Sequence, residues 1–135
     1  MNINNQINEA LKEFSIGNKK KAYKKLKKIF NINKNDDQLR FNLAVIEQSL
    51  NLNDDAKINY KFLINKSKSF KAMVNLYLLY IKETNYLEAL DLIDKLILRD
   101  NNIETINKDR AFVLYKLKKY NESIKICKSY LKKNN

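Results

Sequence analysis

The sequence predicts an all-α fold in which pairs of antiparallel helices stack into a solenoid of eight helices. Small residues recur with spacings of 34, 33 and 34 in one series: Ala22, Ala56, Ala89 and Ser123. A second series with the same spacings lies on the preceding helices: Ala10, Ala44, Tyr77 and Ala111. The 135 residues contain no proline and one glycine, so little interrupts a helix. Such a period indicates a solenoid, because one helix pair cannot bury its apolar face alone.

Three segments repeat this pattern most clearly: LAVIEQSLNLNDDAKINYKFLI, NLYLLYIKETNYLEALDLIDKLI and DRAFVLYKLKKYNESIKICKSYL. They resemble the repeats of tetratricopeptide repeat (TPR) proteins, and the resemblance covers nearly the whole chain. It implies one domain, residues 1–135, in which a right-handed solenoid has four helix-turn-helix repeats: about 3–35, 36–68, 69–102 and 103–135. The family's Trp, crossing Gly and closing Pro are missing. The first repeat fits least well, because its apolar residues imply a turn that is one residue shorter: Ile7, Ala10, Leu11 and Phe14.

The first two repeats are predicted to contain four helices: 3–16, 19–32, about 36–50 and about 53–66. Gly17 can adopt the left-handed conformation that closes the first helix. The clusters Asn35-Asp36-Asp37 and Asn53-Asp54-Asp55 are predicted to cap the third and fourth helices, because short polar side chains accept hydrogen bonds from free N–H groups. The predicted core positions of the second to fourth helices are Ala22, Leu26, Ile29, Phe30, Leu39, Leu43, Ala44, Ile46, Leu50, Ala56, Tyr60, Leu63 and Ile64.

The last two repeats are predicted to contain another four helices: about 69–83, 86–99, 103–118 and 120–133. The helix over 69–83 is apolar on nearly every side, which is typical of a central helix or of one that lines a binding groove. No further helix follows the last one, so Ile124, Cys127 and Leu131 are expected to be partly exposed. A longer native chain, a partner or a second copy would cover them, and 120–133 is the candidate segment for self-association.

The resemblance also implies that the first helix of each repeat lines a concave groove for a peptide or protein segment. The positions carried over from the family are Phe41, Asn42, Val45, Lys71, Val74, Asn75, Leu78, Ile81, Lys108, Asp109, Phe112 and Tyr115. Asn42, Asn75 and Asp109 share one place in successive repeats, and asparagine there forms a ladder along a bound peptide backbone in some TPR proteins. The alternative is that asparagine is simply abundant in this chain. A carboxylate clamp like that of chaperone-binding TPR domains is not predicted, because only Asn42 and Lys71 match it.

The residue types present argue against catalysis. The chain has no histidine, which removes the usual general base and the usual zinc ligand. Its single cysteine, Cys127, lies on the core stripe of its helix and is interpreted as a small buried hydrophobic residue. One glycine leaves no phosphate-binding loop, and the carboxylates are expected mostly at caps and on outer faces, with no inward pair for acid/base catalysis. The sequence therefore predicts no enzyme, no cofactor and no metal site.

The formal net charge of +12 allows two interpretations. Lysine, asparagine and isoleucine have A/T-rich codons, so the lysines can reflect a codon bias that fills free surface positions. Alternatively, they form an electrostatic footprint for RNA or an acidic partner. Seven of them crowd the first ten residues of the helix over 19–32: Lys19, Lys20, Lys21, Lys24, Lys25, Lys27 and Lys28.

Three functions remain open at the level of sequence. The first is a non-enzymatic scaffold that binds a protein or peptide in the groove. The second is binding of RNA or an acidic partner through the basic helix, and the third is an assembly or oligomerisation module of a larger protein. The polar N-terminus has no secretory segment, and the longest apolar run, Met73–Ile81, is interrupted by Asn75 and is too short to span a bilayer. A cytoplasmic protein without membrane insertion is therefore expected.

Overall fold

The computed structural model describes residues 2–134, which form eight α-helices and no strand. The helices are α1 (Ile3–Ser15), α2 (Lys19–Ile32), α3 (Asp37–Ser49), α4 (Asn53–Ser67), α5 (Phe70–Lys82), α6 (Tyr86–Arg99), α7 (Glu104–Lys116) and α8 (Tyr120–Lys133). We call α1, α3, α5 and α7 the A helices, and α2, α4, α6 and α8 the B helices. The predicted bounds of α2, α6 and α8 and the predicted starts of α1 and α4 are confirmed, and the remaining ends differ by one or two residues. In this part of the chain, no helix is both long and apolar enough to cross a membrane.

All four A helices end in the same three-residue turn, at 16–18, 50–52, 83–85 and 117–119. The middle residue of each turn has a left-handed conformation: Gly17 (φ 95°), Asn51 (φ 60°), Thr84 (φ 62°) and Lys118 (φ 62°). The N–H of the next residue donates to the carbonyl five residues earlier at 2.8–2.9 Å, as in the bond from Asn18 to Glu13. This is the Schellman motif, which pairs the carbonyls left free at a helix end. The expectation of a shorter first turn is therefore wrong, because the motif needs three residues.

The same turns determine how the B helices begin. The residue that completes the Schellman motif is also the residue before the B helix, and it makes no side-chain capping bond. Leu52 holds that place before α4, so the prediction that Asn53-Asp54-Asp55 caps this helix is wrong. Asp54 and Asp55 lie in its first turn, where the helix dipole favours negative charge. The cap predicted for α3 is confirmed, since Asp36 accepts a bond from the N–H of Leu39 at 2.9 Å.

The contacts between Cα atoms divide the chain after Ala72 into two compact units. In the first unit, four alanines at the helix crossings are fully buried: Ala10, Ala22, Ala44 and Ala56. A methyl group there lets two helix backbones approach closely. Larger residues fill the layers beside them, and the predicted set is buried apart from half-buried Leu50 and Ile64: Leu26, Ile29, Phe30, Leu39, Leu43, Ile46, Tyr60 and Leu63.

The second unit uses polar residues at two of its crossings and gives each a partner. Ser123 stands where other repeats have alanine, and its hydroxyl donates to the carbonyl of Ala111 at 2.7 Å. Tyr77 stands in the place of another alanine, and its hydroxyl donates to Asp109 at 2.7 Å. Buried polar groups without partners are costly, so these bonds allow the two substitutions. Ala89, whose side chain is fully buried, keeps the small residue in the third repeat.

One carboxylate in the first unit is an exception to the expectation that the carboxylates lie mostly at caps and on outer faces. Glu47 is inaccessible to solvent. Its Oε2 accepts a bond from Asn59 at 2.8 Å, and Oε1 lies 4.0 Å from the ammonium of Lys27. Asn59 in turn accepts from Arg40, whose guanidinium stacks 3.7 Å from the ring centroid of Phe62. Burial raises the pKa of Glu47, while Asn59 and Lys27 partly oppose that rise.

Glu47 predicts a pH dependence of stability. An unfolded glutamate titrates near 4.5, and folded Glu47 titrates higher. Between those two values the folded protein holds a proton that the unfolded chain has lost. The free energy of unfolding should therefore fall as pH rises through this window. Glu47→Gln should reduce this dependence, as measured by urea denaturation just above pH 4.5 and at neutral pH. Equal pH profiles for both proteins would contradict the prediction.

The turns make a second stability prediction. A β-branched residue is strained at positive φ, so Thr84→Gly should raise the free energy of unfolding by about 1 kcal/mol. Gly17→Ala is the matched control. No atom lies within 4 Å of the added methyl group, so any loss is due to backbone strain, expected at about 1 kcal/mol. Denaturant titration measures both, and a Thr84→Gly variant less stable than the wild type would show that the turn is not strained.

Candidate functional site

The candidate groove residues of the first unit lie on α3 and are accessible. Phe41, Asn42 and Val45 are all half-buried. The Phe41 ring packs 6.0 Å from that of Tyr60, and Asn42 accepts a bond from Gln38 at 3.1 Å. Lys71, in the first turn of α5, is exposed. The structure therefore gives this unit a mixed polar and apolar A-helix face.

The A-helix face of the second unit has larger exposed residues. Leu78 and Phe112 are each 43% exposed, and Tyr115 is 57% exposed. Val74 and Ile81 are half-buried on α5. Leu78 and Phe112 hold equivalent places 34 residues apart, so successive A helices present an apolar side chain at the same position.

Neighbouring aromatic rings hold the exposed side chains of α7. Phe112 packs edge-on against Tyr86, with 6.3 Å between ring centroids, and Tyr115 lies 5.6 Å from Tyr120. The ammonium of Lys116 lies 5.5 Å from the Phe112 ring centroid. Such contacts restrict side-chain motion before any ligand arrives, which lowers the entropy lost on binding.

Two predicted groove residues make bonds within the fold. Asp109 accepts a hydrogen bond from the hydroxyl group of Tyr77. Burial together with this bond raises the pKa of Tyr77. Lys108 pairs with Glu104 at 2.7 Å and lies 4.4 Å from the ring centroid of Tyr130. Its pKa is raised, chiefly by Glu104. Both side chains thus make contacts within the second unit. Their positions in the sequence do not indicate these contacts.

The first repeat also has an asparagine at the ladder position, in addition to the predicted groove residues. Asn8 lies 34 residues before Asn42 and is exposed on α1. The repeat period is the signal that identifies it, since Asn8, Asn42, Asn75 and Asp109 are spaced by 34, 33 and 34.

The seven lysines of α2 do not form one free patch. Lys21 and Lys25 lie 2.7 and 3.7 Å from Oε1 of Glu13. Bonds from Lys21 and Asn18 lower the pKa of Glu13 to about 2. Lys27 approaches Glu47, and Lys25 and Lys27 are half-buried. The exposed remainder has no carboxylate partner among residues 2–134: Lys19, Lys20, Lys24 and Lys28.

The interpretation of Cys127 as a small buried hydrophobic residue is wrong, whereas the prediction that it is partly exposed beside Ile124 and Leu131 is confirmed. Cys127 is exposed, because no helix among the described residues covers that side of α8. Ile124 and Leu131 are 50% and 58% exposed, as predicted. Within residues 2–134, no group of three or more histidine, cysteine, aspartate or glutamate side chains is placed to hold a metal ion.

Solved structures show which known fold this one matches. A crystal structure of MamA superposes with a TM-score of 0.84 over 98% of this chain and 73% of its own, at 16% identity. A tetratricopeptide repeat protein from Parabacteroides merdae superposes with a TM-score of 0.75 over 97% of this chain and 52% of its own, at 18% identity. The chain has a tetratricopeptide repeat fold.

The TPR fold extends to a protein with a documented assembly. The structure of Naa15/Naa10 bound to HypK-THB matches with a TM-score of 0.68 over 98% of this chain and 20% of that one, at 16% identity. The sequence itself matches no protein-family model, and no curated protein matches it significantly. Identities this low establish the fold, and the chemistry of the TPR surfaces must come from the residues described above.

Proposed function

We propose that this TPR chain is a non-enzymatic scaffold that binds an extended peptide or a protein segment on its A-helix faces. The observation that carries the proposal is the exposure of Leu78, Phe112 and Tyr115 on two successive A helices. Apolar and aromatic side chains of this size provide most of the binding energy in peptide sites. A groove for nucleic acid would instead present basic residues at these positions.

Asparagine side chains would supply the polar part of this recognition. An amide has both a donor and an acceptor, so it can pair with a peptide unit whatever side chain the peptide has. Asn42 and Asn75 are half-buried on the A-helix faces. Asp109 accepts a bond from Tyr77 and has no side-chain donor, so it cannot pair with both groups of a peptide unit, and we assign the ladder mainly to the asparagines.

A solved structure with the same fold supports the class of partner. The Naa15 complex, which shares the fold, contains other proteins. We extend only this coarse feature, a protein partner, to the present chain. On the first unit, the A-helix face would also include Phe41, Val45 and Lys71. On the second unit, it would also include Val74, Ile81 and Lys108.

A peptide library tests this proposal. Peptides selected from a random phage-displayed library on the intact protein should bind the Asn75→Ala, Phe112→Ala double variant about tenfold more weakly or worse. Fluorescence anisotropy measures the affinity, and circular dichroism checks the fold. Leu87→Ala is the matched control, because Leu87 is 67% exposed on α6 and away from the A helices. Equal affinity for the double variant and the wild type would reject the proposal.

The exposed lysines of α2 favour a second candidate, which is binding to single-stranded RNA. Lys20, Lys24 and Lys28 follow one another at intervals of four and form one outward stripe. If a labelled oligouridylate binds there, its affinity should fall with rising salt concentration. Replacing all three lysines with glutamine should make this dependence weaker, reducing the magnitude of the slope of log affinity against log salt by about 2.

A control with the same change in charge separates the stripe from general basicity. It replaces exposed lysines outside α2 with glutamine: Lys61, Lys82 and Lys119. The stripe variant should lose much more affinity than this control. Equal losses would show that net charge alone attracts the RNA and would reject a site on α2.

A further inference from the structure

One apolar surface of the second unit is uncovered. Ile124, Cys127 and Leu131 lie three and four residues apart on α8, and we call them the C-terminal strip. All three are exposed. The rest of the chain shows what normally covers such a strip, because the repeats place equivalent residues on the other B helices.

Equivalent strips within each unit are packed against the A helix that follows. On α6 the equivalents are Leu90, Ile93 and Ile97, and on α2 they are Tyr23, Leu26 and Phe30. The helix α7 packs on α6, and α3 packs on α2. Leu90 is 9% exposed against 50% for Ile124, and Ile93 is fully buried. The residues of the C-terminal strip are therefore equivalent to residues that, on α2 and α6, pack against an A helix.

The earlier repeats also show which charge a helix bound to this strip should have. On α2 and on α6, the residue that directly follows the middle residue of the strip forms an ion pair with the next A helix. In the first unit Lys27 approaches Glu47 at 4.0 Å, and in the second Asp94 binds Arg110 at 2.8 Å. The equivalent residue on α8 is Lys128, which is exposed. A helix that repeats this arrangement should therefore place a carboxylate near Lys128.

A cleft beside the strip is large enough for part of a helix. Its volume is about 880 Å³, and its lining includes Ala111, Cys127 and Leu131. Two turns of a helix roughly 10 Å across occupy about this volume. The cleft is lined by four basic and two acidic residues: Lys108, Arg110, Lys125, Lys133, Glu104 and Glu122. The helix α8 itself has four lysines and one glutamate, so the surface around the strip has a positive net charge.

A second copy of this chain fits poorly. Stacking the α1 of one copy on the α8 of another would place polar residues where α3 has apolar ones. Asn5, Glu9 and Lys12 are exposed on α1, and they are equivalent to Leu39, Leu43 and Ile46, which are all buried. Two α8 helices face to face would oppose lysine with lysine.

We propose that the C-terminal strip is the docking site of an acidic amphipathic helix from a partner protein. This helix would lie on α8 as α7 lies on α6, with its apolar side on the strip and a carboxylate at Lys128. The strip lies on a B helix, and of the proposed groove residues only Lys108 also lines the cleft, so the proposal does not depend on peptide binding to the A-helix faces.

The test uses two stapled peptides derived from α3, residues 37–49, which already covers a strip in this chain. The acidic peptide has Arg40→Glu, and the basic one has Asp37→Lys and Glu47→Lys, so that their formal side-chain charges are −3 and +3. The intact protein should bind the acidic peptide at least about tenfold more tightly. Equal affinities, or tighter binding of the basic peptide, would overturn the proposal.

Two exposed substitutions then locate the site. Leu131→Asp should weaken the acidic peptide about tenfold, and Lys128→Glu should weaken it while strengthening the basic peptide. The gain for the basic peptide cannot come from misfolding. Leu98→Asp is the control, because Leu98 is 88% exposed on α6, outside the strip. An effect of Leu98→Asp equal to that of Leu131→Asp would reject the location.

The single cysteine gives an independent measurement. Cys127 is exposed at the centre of the strip, so iodoacetamide should alkylate it in the free protein. The acidic peptide should slow this alkylation in proportion to the bound fraction, and the basic peptide should not. Unchanged alkylation at saturating acidic peptide would overturn the proposal. So would a dimer in light scattering that Leu131→Asp dissociates, because the strip would then hold a second copy.

Discussion

The structure depends on the close approach of two helices at each A–B crossing. Buried alanines occupy most of the crossing positions. A three-residue Schellman turn joins the A helix to the B helix in every repeat, so this connection always has the same length. A larger residue enters only with a hydrogen bond of its own, as Tyr77 does with Asp109. Because turn and crossing both repeat, apolar residues must recur at the same positions, and the period of 33 or 34 residues is the consequence of this geometry rather than a separate feature.

This dependence explains which features could be predicted from sequence. Helix positions and nearly all of the core follow from the period, since they require only that equivalent residues have equivalent environments. The burial of Glu47 could not be predicted, because Lys27 and Asn59 reach it from two other helices. The expected cap at Asn53 failed for a related reason. The Schellman turn after α3 ends at Leu52, so Leu52 is the residue before α4. The short motif Asn53-Asp54-Asp55 contains no information about that turn.

The candidate binding surfaces were predictable to a different degree. Exposure of Leu78 and Phe112 follows from their place on the A helices, and it needs no partner within the chain. Asp109 and Lys108 lie at positions of the same kind, yet their side chains bond to Tyr77 and Glu104. Pairings of this kind join side chains whose compatibility depends on distances that the sequence does not contain. The position of a residue in the repeat therefore predicts which apolar side chains are exposed more reliably than it predicts which polar side chains can bind a ligand.

The net charge has different consequences at different places in the fold. Three lysines of α2 lie near Glu13 or Glu47, so their charge is used within the first unit. Codon bias can explain the number of lysines, but it does not explain which of them form ion pairs with carboxylates. The lysines of α8 have a different setting, because they surround exposed apolar residues. A charge beside an apolar surface can select among partners that would otherwise bind by hydrophobic burial alone, since each unsuitable partner would bring like charges together.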